Sequence, residues 1–257
     1  MSKLLPKLVT FDGEARSGKG TIVQITKDYL RDERKKQVML IDAGQVFRVL
    51  VVAATRAKVD MDSLAEIEDF LSSEAEAQKC IQLVKQVYHM SKPERDALLY
   101  TNQVGVNSAK IGASRLSQEF KDRLLKKWLR DARAEGFDVV LLDGRALEEV
   151  GSRLESDGLC SFVAGLYFIC QPEMGARRTL GLAGTAYEDL DAANKKSVDE
   201  LITQIVERNQ KDARRAVQPI IPPVNAPTWQ LPQAAPATLP NRRPMYTVDT
   251  SAEMTKQ

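Results

Sequence analysis

The stretch KLVTFDGEARSGKGTIVQITKDYL, residues 7–30, decides which fold this chain is expected to adopt. A short apolar run, KLVTF, leads into a turn with the spacing Gly13-x-x-x-x-Gly18-Lys19, and a helical pattern follows. In this P-loop arrangement the glycines let backbone N–H groups converge on an anion, the helix adds its positive N-terminal end, and the lysine reaches the outer phosphates of a nucleotide. We therefore expect nucleotide phosphates to contact Gly13, Glu14, Ala15, Arg16, Ser17, Gly18, Lys19, Gly20 and Thr21.

The residue after Lys19 departs from the general motif, in which a serine or threonine follows the lysine. Gly20 stands there instead, and the first hydroxyl group comes at Thr21. Mg²⁺ prefers oxygen ligands and keeps several of its water molecules. We therefore expect Thr21 to hold the metal weakly, with water and the nucleotide's own phosphates as the main ligands.

Four more apolar runs rich in β-branched residues indicate further strands. Together with the first run, they lie at residues 7–11, 37–42, 137–143, 165–170 and 245–250. Continuous apolar strands separated by helices are typical of a parallel sheet covered on both faces, so the predicted fold is α/β with a five-stranded parallel sheet. Such sheets bind ligands at the carboxyl ends of their strands. Three runs end there in an acidic residue before a glycine turn: Asp12-Gly13, Asp42-Ala43-Gly44 and Asp143-Gly144-Arg145.

The chain between the second and third strands is too long for a single crossover helix. Helical patterns lie at residues 62–71, 74–88, 102–113 and 115–135, although IQLVKQVY at 81–88 also fits a strand. We expect an inserted subdomain here, within a single domain that spans residues 1–257.

Residues 219–244 differ sharply in composition from the rest of the chain, because eight of the eleven prolines fall there. Such a segment favours an extended, polyproline-like backbone. We expect a connection that wraps over the surface before the last strand. A motif that docks a partner is the alternative.

The overall composition narrows the class of protein. At 257 residues and 43% hydrophobic content, the chain is long enough to bury a sizeable core. The 37 lysines and arginines nearly balance the 35 aspartates and glutamates, and the net charge of +2 gives no sign of a nucleic-acid partner. The apolar part of the N-terminus is short and interrupted, and no other apolar run reaches membrane-spanning length. We expect a cytoplasmic protein with no membrane partner, in which Cys80, Cys160 and Cys170 are buried, reduced thiols.

Arginines near the predicted strand ends suggest which reaction a nucleotide bound at the phosphate loop undergoes. Phosphoryl transfer requires two nucleotides held in line and positive charge around the moving group. Arg48 lies early in the helix after the second strand, Arg145 directly follows the third, and Arg177 and Arg178 follow the fourth. The segment ERNQKDARR, residues 207–215, is predicted to set three charged residues on one helix face at i, i+4 and i+7: Arg208, Asp212 and Arg215.

Five segments resemble, in the same order, the cytidylate kinases, which are P-loop kinases that pass phosphate from ATP to CMP or dCMP. They are FDGEARSGKGT at residues 11–21, IDAGQVFRVL at 41–50, TNQVGVNSAKIGA at 101–113, LLDGR at 141–145 and ERNQKDARRAVQPIIP at 207–222. The resemblance implies the fold of the P-loop nucleoside monophosphate kinases, with an inserted acceptor-binding subdomain at 45–115 and a lid at 172–208. It also implies ATP and Mg²⁺ as cofactors, small-molecule nucleotides as partners and a monomeric enzyme.

The resemblance further implies roles for individual residues. Lys19, Arg145, Arg177 and Arg178 would be catalytic, the last two within a lid that closes over the phosphates and excludes water. The residues that would bind the acceptor are Asp42, Arg48, Ser108, Asp143, Arg145, Arg208, Asp212 and Arg215. Of these, the acceptor's phosphate would contact Arg48, Arg145 and Arg215, its sugar Arg208 and Asp212, and its cytosine edge Ser108 and Asp143. Taken from the residues alone, Asp143 indicates a magnesium-associated carboxylate, and this alternative stays open.

Four positions depart from the family's pattern. Ala43 stands where a serine is usual in the family, and Ser117 where an arginine that helps to read cytosine is expected. The family's DGRD motif becomes DGRA, with Ala146 in place of the second aspartate, and Asn209 replaces the aspartate that usually follows the arginine at position 208. Arg115 lies close enough in sequence to replace the missing arginine. Because buried polar groups carry much of a site's selectivity, these departures motivate a second hypothesis, a nucleotide-binding regulatory or assembly protein that has lost catalysis. A monophosphate kinase of altered acceptor specificity and an ATPase that acts on a macromolecule are further alternatives.

Overall fold

A computed structural model describes residues 4–145, 147–215, 219–237 and 243–252. The chain forms two compact units, a sheet unit of residues 1–41 and 132–257 and a helical unit of residues 42–131. In chain order the α-helices of the described residues are α1 Lys19–Asp32, α2 Ala43–Arg56, α3 Leu64–Ser72, α4 Glu74–His89, α5 Lys92–Leu99, α6 Asn102–Ile111, α7 Arg115–Glu135, α8 Leu147–Ser156, α9 Pro172–Thr179 and α10 Ala192–Ala213. In this part of the chain, no helix has both the length and the apolar character that crossing a membrane requires.

The sheet confirms the predicted α/β fold and adds one strand to it. Its strands are β1 Lys7–Gly13, β2 Val38–Asp42, β3 Val139–Asp143, β4 Ser161–Ile169, β5 Thr228–Gln230 and β6 Met245–Asp249, in the order β2-β3-β1-β4-β6-β5. Parallel pairing joins β1 to β3 and to β4, and it joins β6 to β4 and to β5. The ends of β1, β3, β4 and β6 therefore lie at one edge of the sheet.

The strand β5 corrects the prediction of five strands. Its three residues, TWQ, lie between prolines and carry no periodic pattern, so only their pairing with β6 defines them as a strand. Trp229 of β5 packs edge-on against Tyr246 of β6, with ring centroids 5.9 Å apart.

The described parts of the proline-rich connection lie on the sheet unit. Ile220 is buried, and its backbone N–H donates to the Asp212 carbonyl at 3.1 Å. At the far end, Arg243 stacks on Phe162 with its guanidinium 4.2 Å from the ring centroid and donates to the Phe162 carbonyl at 2.7 Å. These contacts agree with a surface-wrapping connection, while residues 238–242 of it lie outside the described residues.

Apolar packing fixes the central strands. All but the last residue of β3 are buried, and Phe11 of β1 stacks on Phe168 of β4 with ring centroids 6.1 Å apart. Cys80, Cys160 and Cys170 are free and buried, as predicted. Burial of apolar surface on both faces explains why these strands read as continuous apolar runs rather than as alternating ones.

The helical unit has its own apolar core. It includes Val46, Leu50, Val51, Ile67, Phe70, Cys80, Ile111 and Phe120. Residues 81–88 lie within α4, so the alternative of a strand there is wrong. The helix α5 was not predicted; it begins at a capping box in which Ser91 and Glu94 each satisfy the other's backbone N–H group.

Candidate functional site

The phosphate loop, residues 13–21, has the backbone that its glycines predict. Gly13 has φ +143°, and a Cβ there would lie 2.3 Å from the Phe168 carbonyl oxygen, so no larger residue fits. Gly18 has φ +77°, a left-handed conformation, and it directly precedes Lys19, the first residue of α1. Arg16 also lies in the left-handed region, at φ 60°.

Hydrogen bonds from distant parts of the sheet unit hold this loop. The Glu14 N–H donates to the Phe168 carbonyl at 2.9 Å, and the Thr250 hydroxyl donates to the Ser17 carbonyl at 2.8 Å. The Ala15 N–H donates to the side-chain oxygen of Asn209 at 2.9 Å. The loop is thus fixed before any ligand arrives, which lowers the entropic cost of binding.

Lys19 forms an ion pair with Asp143 at the end of β3. The two side chains are only 18% and 17% exposed, so the pair is partly shielded from water. Asp143 therefore neutralises the lysine of the phosphate loop, a contact that the sequence did not predict. The predicted roles of Asp143 at the cytosine edge or beside magnesium stay predictions.

Asp12, directly before the loop, is a buried carboxylate that sequence reasoning noted but gave no role. It accepts hydrogen bonds from the Gly13 N–H at 2.7 Å and from the Leu147 N–H, at the start of α8, at 3.0 Å. Burial raises the pKa of the Asp12 carboxyl, while the two N–H donors and the charges of Lys19 and Arg145 act in the opposite direction. Asp12 thereby ties the phosphate loop to the segment that follows Arg145.

Glu14 is half-buried on the other side of Gly13. Burial raises the pKa of its carboxyl, and the nearby Asp249 carboxylate adds to that shift. Glu14, Asn209 and Asp249 line a cavity of about 400 Å³. The loop therefore has carboxylates beside it as well as the backbone N–H groups that favour an anion.

The charged residues of α10 and Arg145 gather around one buried carboxylate. Asp212 is 5% exposed and forms ion pairs with Arg145, with Arg215 at 2.6 Å and with Arg208 at 3.9 Å. The helix ends at Ala213, which corrects the prediction that Arg215 continues the same helical face. Arg215 still reaches Asp212 from beyond the helix end. The structure thus brings four of the predicted acceptor-binding residues together in the sheet unit.

Arg177 and Arg178, predicted as catalytic residues of a lid, make contacts within the protein. Arg177 is buried, donates to the Thr185 carbonyl at 2.6 Å and pairs with Glu173 at 3.1 Å. Arg178 donates to the Ala252 carbonyl. Their catalytic roles stay predictions, and in this structure Arg177 braces the turn after α9.

In the helical unit, Arg48 is held by residues that precede α6. Its guanidinium donates to the Leu99 carbonyl at 2.9 Å and lies 4.5 Å from the centroid of the Tyr100 ring. The Tyr100 hydroxyl donates to Asp42 at 3.1 Å, and Asp42 also caps α2 by accepting from the Gln45 N–H at 3.0 Å. Although Tyr100 is 45% exposed, partial burial and the Asp42 carboxylate raise the pKa of its hydroxyl to about 12. Sequence reasoning missed Tyr100 because its two contacts join residues far apart in the chain.

Ser108 and the position of the missing arginine lie on neighbouring helices. The Ser108 hydroxyl donates to the Gly105 carbonyl at 2.8 Å, one turn back in α6. Ser117 is buried and donates to the Ile111 carbonyl at 2.5 Å, whereas Arg115, proposed as a substitute, is 81% exposed and pairs with Glu119 at 3.0 Å. Ala146, a further departure, lies outside the described residues.

Comparison with known proteins identifies relatives of this chain. The profile of the family named Cytidylate kinase matches residues 9–229. A cytidylate kinase of Shewanella loihica is 26% identical over 235 residues, which cover 88% of this chain and 87% of that protein. Cytidylate kinases of Shewanella pealeana and Aeromonas hydrophila are 28% and 26% identical, with 88% of this chain covered in both and 87% and 86% of the relatives.

Proposed function

The chain belongs to the cytidylate kinase family, and on that premise we propose that it transfers the γ-phosphoryl group of ATP to a nucleoside monophosphate, with CMP or dCMP as the acceptor. The observation that carries this proposal lies in the sheet unit. There, a fixed phosphate loop with Lys19 and a cluster of arginines around Asp212 belong to the same compact unit, and Asn209 of α10 contacts the loop directly. An ATPase that acts on a macromolecule has no evident need of the arginines around Asp212.

The donor side is supported by the backbone of residues 13–21. The helix α1 begins at Lys19 within the loop, and its N-terminal end carries a partial positive charge. The ammonium group of Lys19 forms an ion pair with the Asp143 carboxylate. Binding of the outer phosphates would draw the ammonium group away from this carboxylate, because the phosphates carry more negative charge.

The acceptor side is supported by Asp212 and its arginines. A buried carboxylate that pairs with several guanidinium groups restricts where they point, so that they offer their remaining N–H donors in a fixed direction. Arg145 and Arg215 are proposed to bind the acceptor's phosphate, and Arg208 with Asp212 its sugar. In the helical unit, Arg48, Asp42 and Ser108 are the proposed acceptor contacts.

The proposed step is a single in-line displacement. An oxygen of the acceptor's phosphate forms a bond to the γ-phosphorus, the bond from that phosphorus to the β–γ bridging oxygen breaks, and ADP leaves. The protein supplies positions and positive charge rather than a covalent intermediate. Lys19 and Arg145 are proposed to stabilise the charge that spreads over the transferred group.

The residues present fit a magnesium ion that is bound chiefly by the nucleotide. Thr21 is exposed in the first turn of α1 and offers one hydroxyl oxygen, with Asp143 as the alternative ligand. Within the described residues, no group of three or more histidine, cysteine or acidic side chains is placed to hold a metal. When bound, Mg²⁺ would neutralise phosphate charge and orient the β- and γ-phosphates.

A screen of acceptors tests the proposed function. The protein is incubated with ATP, Mg²⁺ and one of CMP, dCMP, UMP, AMP or GMP, and ADP formation is followed against a sample without acceptor. We expect the fastest ADP formation with CMP or dCMP. Formation of no ADP with any acceptor would refute the proposal. Calorimetry that then showed ATP binding without CMP binding would favour the regulatory alternative, which the departures at Ala43 and Ser117 motivate.

A substitution at Tyr100 tests the proposed role of the helical unit. Tyr100→Phe keeps the ring over Arg48 but removes the hydrogen bond to Asp42, so Arg48 is held less firmly. We expect the KM for CMP to rise about threefold to tenfold, as for the loss of one hydrogen bond, with the KM for ATP unchanged. Steady-state kinetics with each substrate varied in turn measures both values.

The matched control is Tyr88→Phe, which removes the hydroxyl of a tyrosine that is 72% exposed in the same unit. It should leave both KM values at those of the wild type. An equal rise in the KM for ATP after Tyr100→Phe would contradict a role confined to the acceptor.

A further inference from the structure

Arg16, in the middle of the phosphate loop, has a backbone conformation that favours glycine. Its φ is 60°, in the left-handed region where the Cβ of an L-residue crowds the following carbonyl group. Gly13 and Gly18 in the same loop take positive φ values without that cost. Residues other than glycine that are held in this region cluster at sites that clamp ligands. An arginine at this position therefore points to a function of its side chain.

The helix α9 leaves room for this side chain. Gly175 of α9 is buried against the loop, and a Cβ there would lie 3.0 Å from the Arg16 carbonyl oxygen and 3.3 Å from the Arg16 Cβ. Because both distances are tighter than ordinary Cβ contacts, a larger residue at position 175 would crowd Arg16. The side chain of Arg16 thus leaves the loop beside α9, the helix at the start of the predicted lid.

The guanidinium of Arg16 is available to a ligand. Arg16 is exposed, and among the residues that the structure describes its side chain has no hydrogen-bond or ion-pair partner. The cations that the family resemblance implies as catalytic each contact an acceptor in the protein: Lys19 the Asp143 carboxylate, Arg145 that of Asp212, Arg177 that of Glu173, and Arg178 the Ala252 carbonyl. A phosphate that approaches Arg16 therefore breaks no contact within the protein, whereas it competes with a protein acceptor at each of the others.

The chemistry of a guanidinium suits this place in the loop. Arg16 lies three residues before Lys19, in a loop whose backbone N–H groups converge on an anion. A guanidinium can donate two parallel hydrogen bonds to a phosphate, whereas the ammonium group of Lys19 acts as a point charge. During transfer, negative charge spreads over the three non-bridging oxygens of the γ-phosphoryl group. A second cation of different geometry beside Lys19 would therefore stabilise that charge.

We propose that Arg16 is a catalytic residue whose guanidinium donates hydrogen bonds to the non-bridging oxygens of the γ-phosphoryl group as it is transferred. It supplies positive charge that the sequence led us to expect from Arg177 and Arg178 of the lid. No bond to Arg16 forms or breaks, and the guanidinium keeps its protons throughout. The catalytic role rests on the proposed function, but the contact with the γ-phosphate can be tested without any transfer.

Calorimetry with MgATP and with MgADP, in the absence of an acceptor, tests the contact. Arg16→Asn removes the charge and introduces a residue that tolerates the left-handed backbone. We expect the Kd for ATP to rise about threefold to tenfold, as for the loss of one hydrogen bond. The Kd for ADP should stay nearly unchanged, because ADP has no γ-phosphate. An equal rise for both nucleotides, or no rise for ATP, would overturn the proposal.

Steady-state kinetics with ATP and CMP tests the catalytic role. We expect kcat of Arg16→Asn to fall about tenfold to 100-fold, below the range for an enclosed donor because water reaches the exposed guanidinium. Arg16→Lys keeps the charge and should recover part of kcat. The unfolding temperature of Arg16→Asn should equal or exceed that of the wild type, because asparagine fits the left-handed backbone better than arginine does. An unchanged kcat, or a clear fall in the unfolding temperature, would contradict a role in catalysis rather than in structure.

Lys58→Asn is the matched control, since Lys58 is an exposed basic residue with φ 61° in the helical unit. It loses the same charge at the same backbone conformation and should leave both kcat and the Kd for ATP at the wild-type values. Equal losses in Arg16→Asn and Lys58→Asn would show that net charge is the cause and overturn the proposal. A wild type that binds ATP but transfers nothing would overturn the proposed function, and the comparison of ATP with ADP would still decide whether Arg16 contacts the γ-phosphate.

Discussion

Replacement of Lys19 by methionine is expected to lower kcat for phosphoryl transfer about 100-fold to 1,000-fold, the range for removal of one preorganised donor. Lys19 lies at the N-terminal end of α1 and is the cation proposed to follow the γ-phosphoryl group as it moves. Methionine keeps an apolar stem of similar length, so packing around the side chain changes little. Measurement of ADP formation at saturating ATP and CMP gives the effect on kcat directly.

The control for this variant is Lys27→Met, which removes a positive charge from the same helix. Lys27 lies two turns further along, with Asp28 as its neighbour at 3.7 Å, and its loss should leave kcat at the wild-type value. Lys19→Met also leaves Asp143 without its lysine partner, so the unfolding temperature is measured in parallel. A Lys19→Met enzyme that is folded and turns over at more than about one third of the wild-type rate would contradict the proposed role of Lys19 in binding the phosphates of ATP.

Replacement of Arg145 by methionine is expected to lower kcat/KM for the acceptor about 1,000-fold, as for an arginine that stabilises the transferred phosphoryl group. Arg145 directly follows β3, at the edge of the sheet where the phosphate loop also lies, and it pairs with the buried Asp212. Its proposed contacts with the acceptor's phosphate strengthen as the transferred group approaches. Both kcat and the KM for CMP should therefore worsen, whereas calorimetric binding of ATP alone should change little.

Stability separates this effect from a loss of fold. Asp212 keeps Arg215 at 2.6 Å after the substitution, so the buried carboxylate is not left without a cation and the unfolding temperature should fall by only a few degrees, about 2–4 °C. Arg34→Met removes an exposed arginine that follows α1 and serves as the control for charge. Equal losses in Arg145→Met and Arg34→Met would show that net charge, rather than the site, sets the rate.

The strands were predictable wherever the sequence carried a continuous apolar run. The predicted run at residues 137–143 is realised as Val139–Asp143, because a strand buried on both faces needs apolar residues at every position. The strand β5 was not predictable, since three residues between prolines acquire their hydrogen bonds only from β6. The helix α5 does carry a local signal, the Ser91 and Glu94 capping box, which sequence reasoning passed over.

The same distinction holds for the candidate site: features set by neighbouring residues were predictable, whereas contacts between distant residues were not. The turn at Gly13 and Gly18 was predictable because it requires backbone angles that glycine alone adopts easily. The spacing of Arg208 and Asp212 on α10 was also local. The pairing of Lys19 with Asp143 and the support of Arg48 by Tyr100 were not predictable, because each contact joins residues that are about 50 or more positions apart in the chain.

The parallel α/β sheet, the phosphate loop and the family resemblance could all be predicted from the sequence, because each depends on patterns within a few consecutive residues. The contacts between distant residues depend on the folded chain: the ion pair of Asp212 with Arg145, the hydrogen bond from the Leu147 N–H to Asp12, and the hydrogen bond from the Ala15 N–H to Asn209. Strand pairing and helix packing set the distances between residues that are remote in the chain. The energy of an ion pair or a hydrogen bond depends on those distances and on the burial that comes with them.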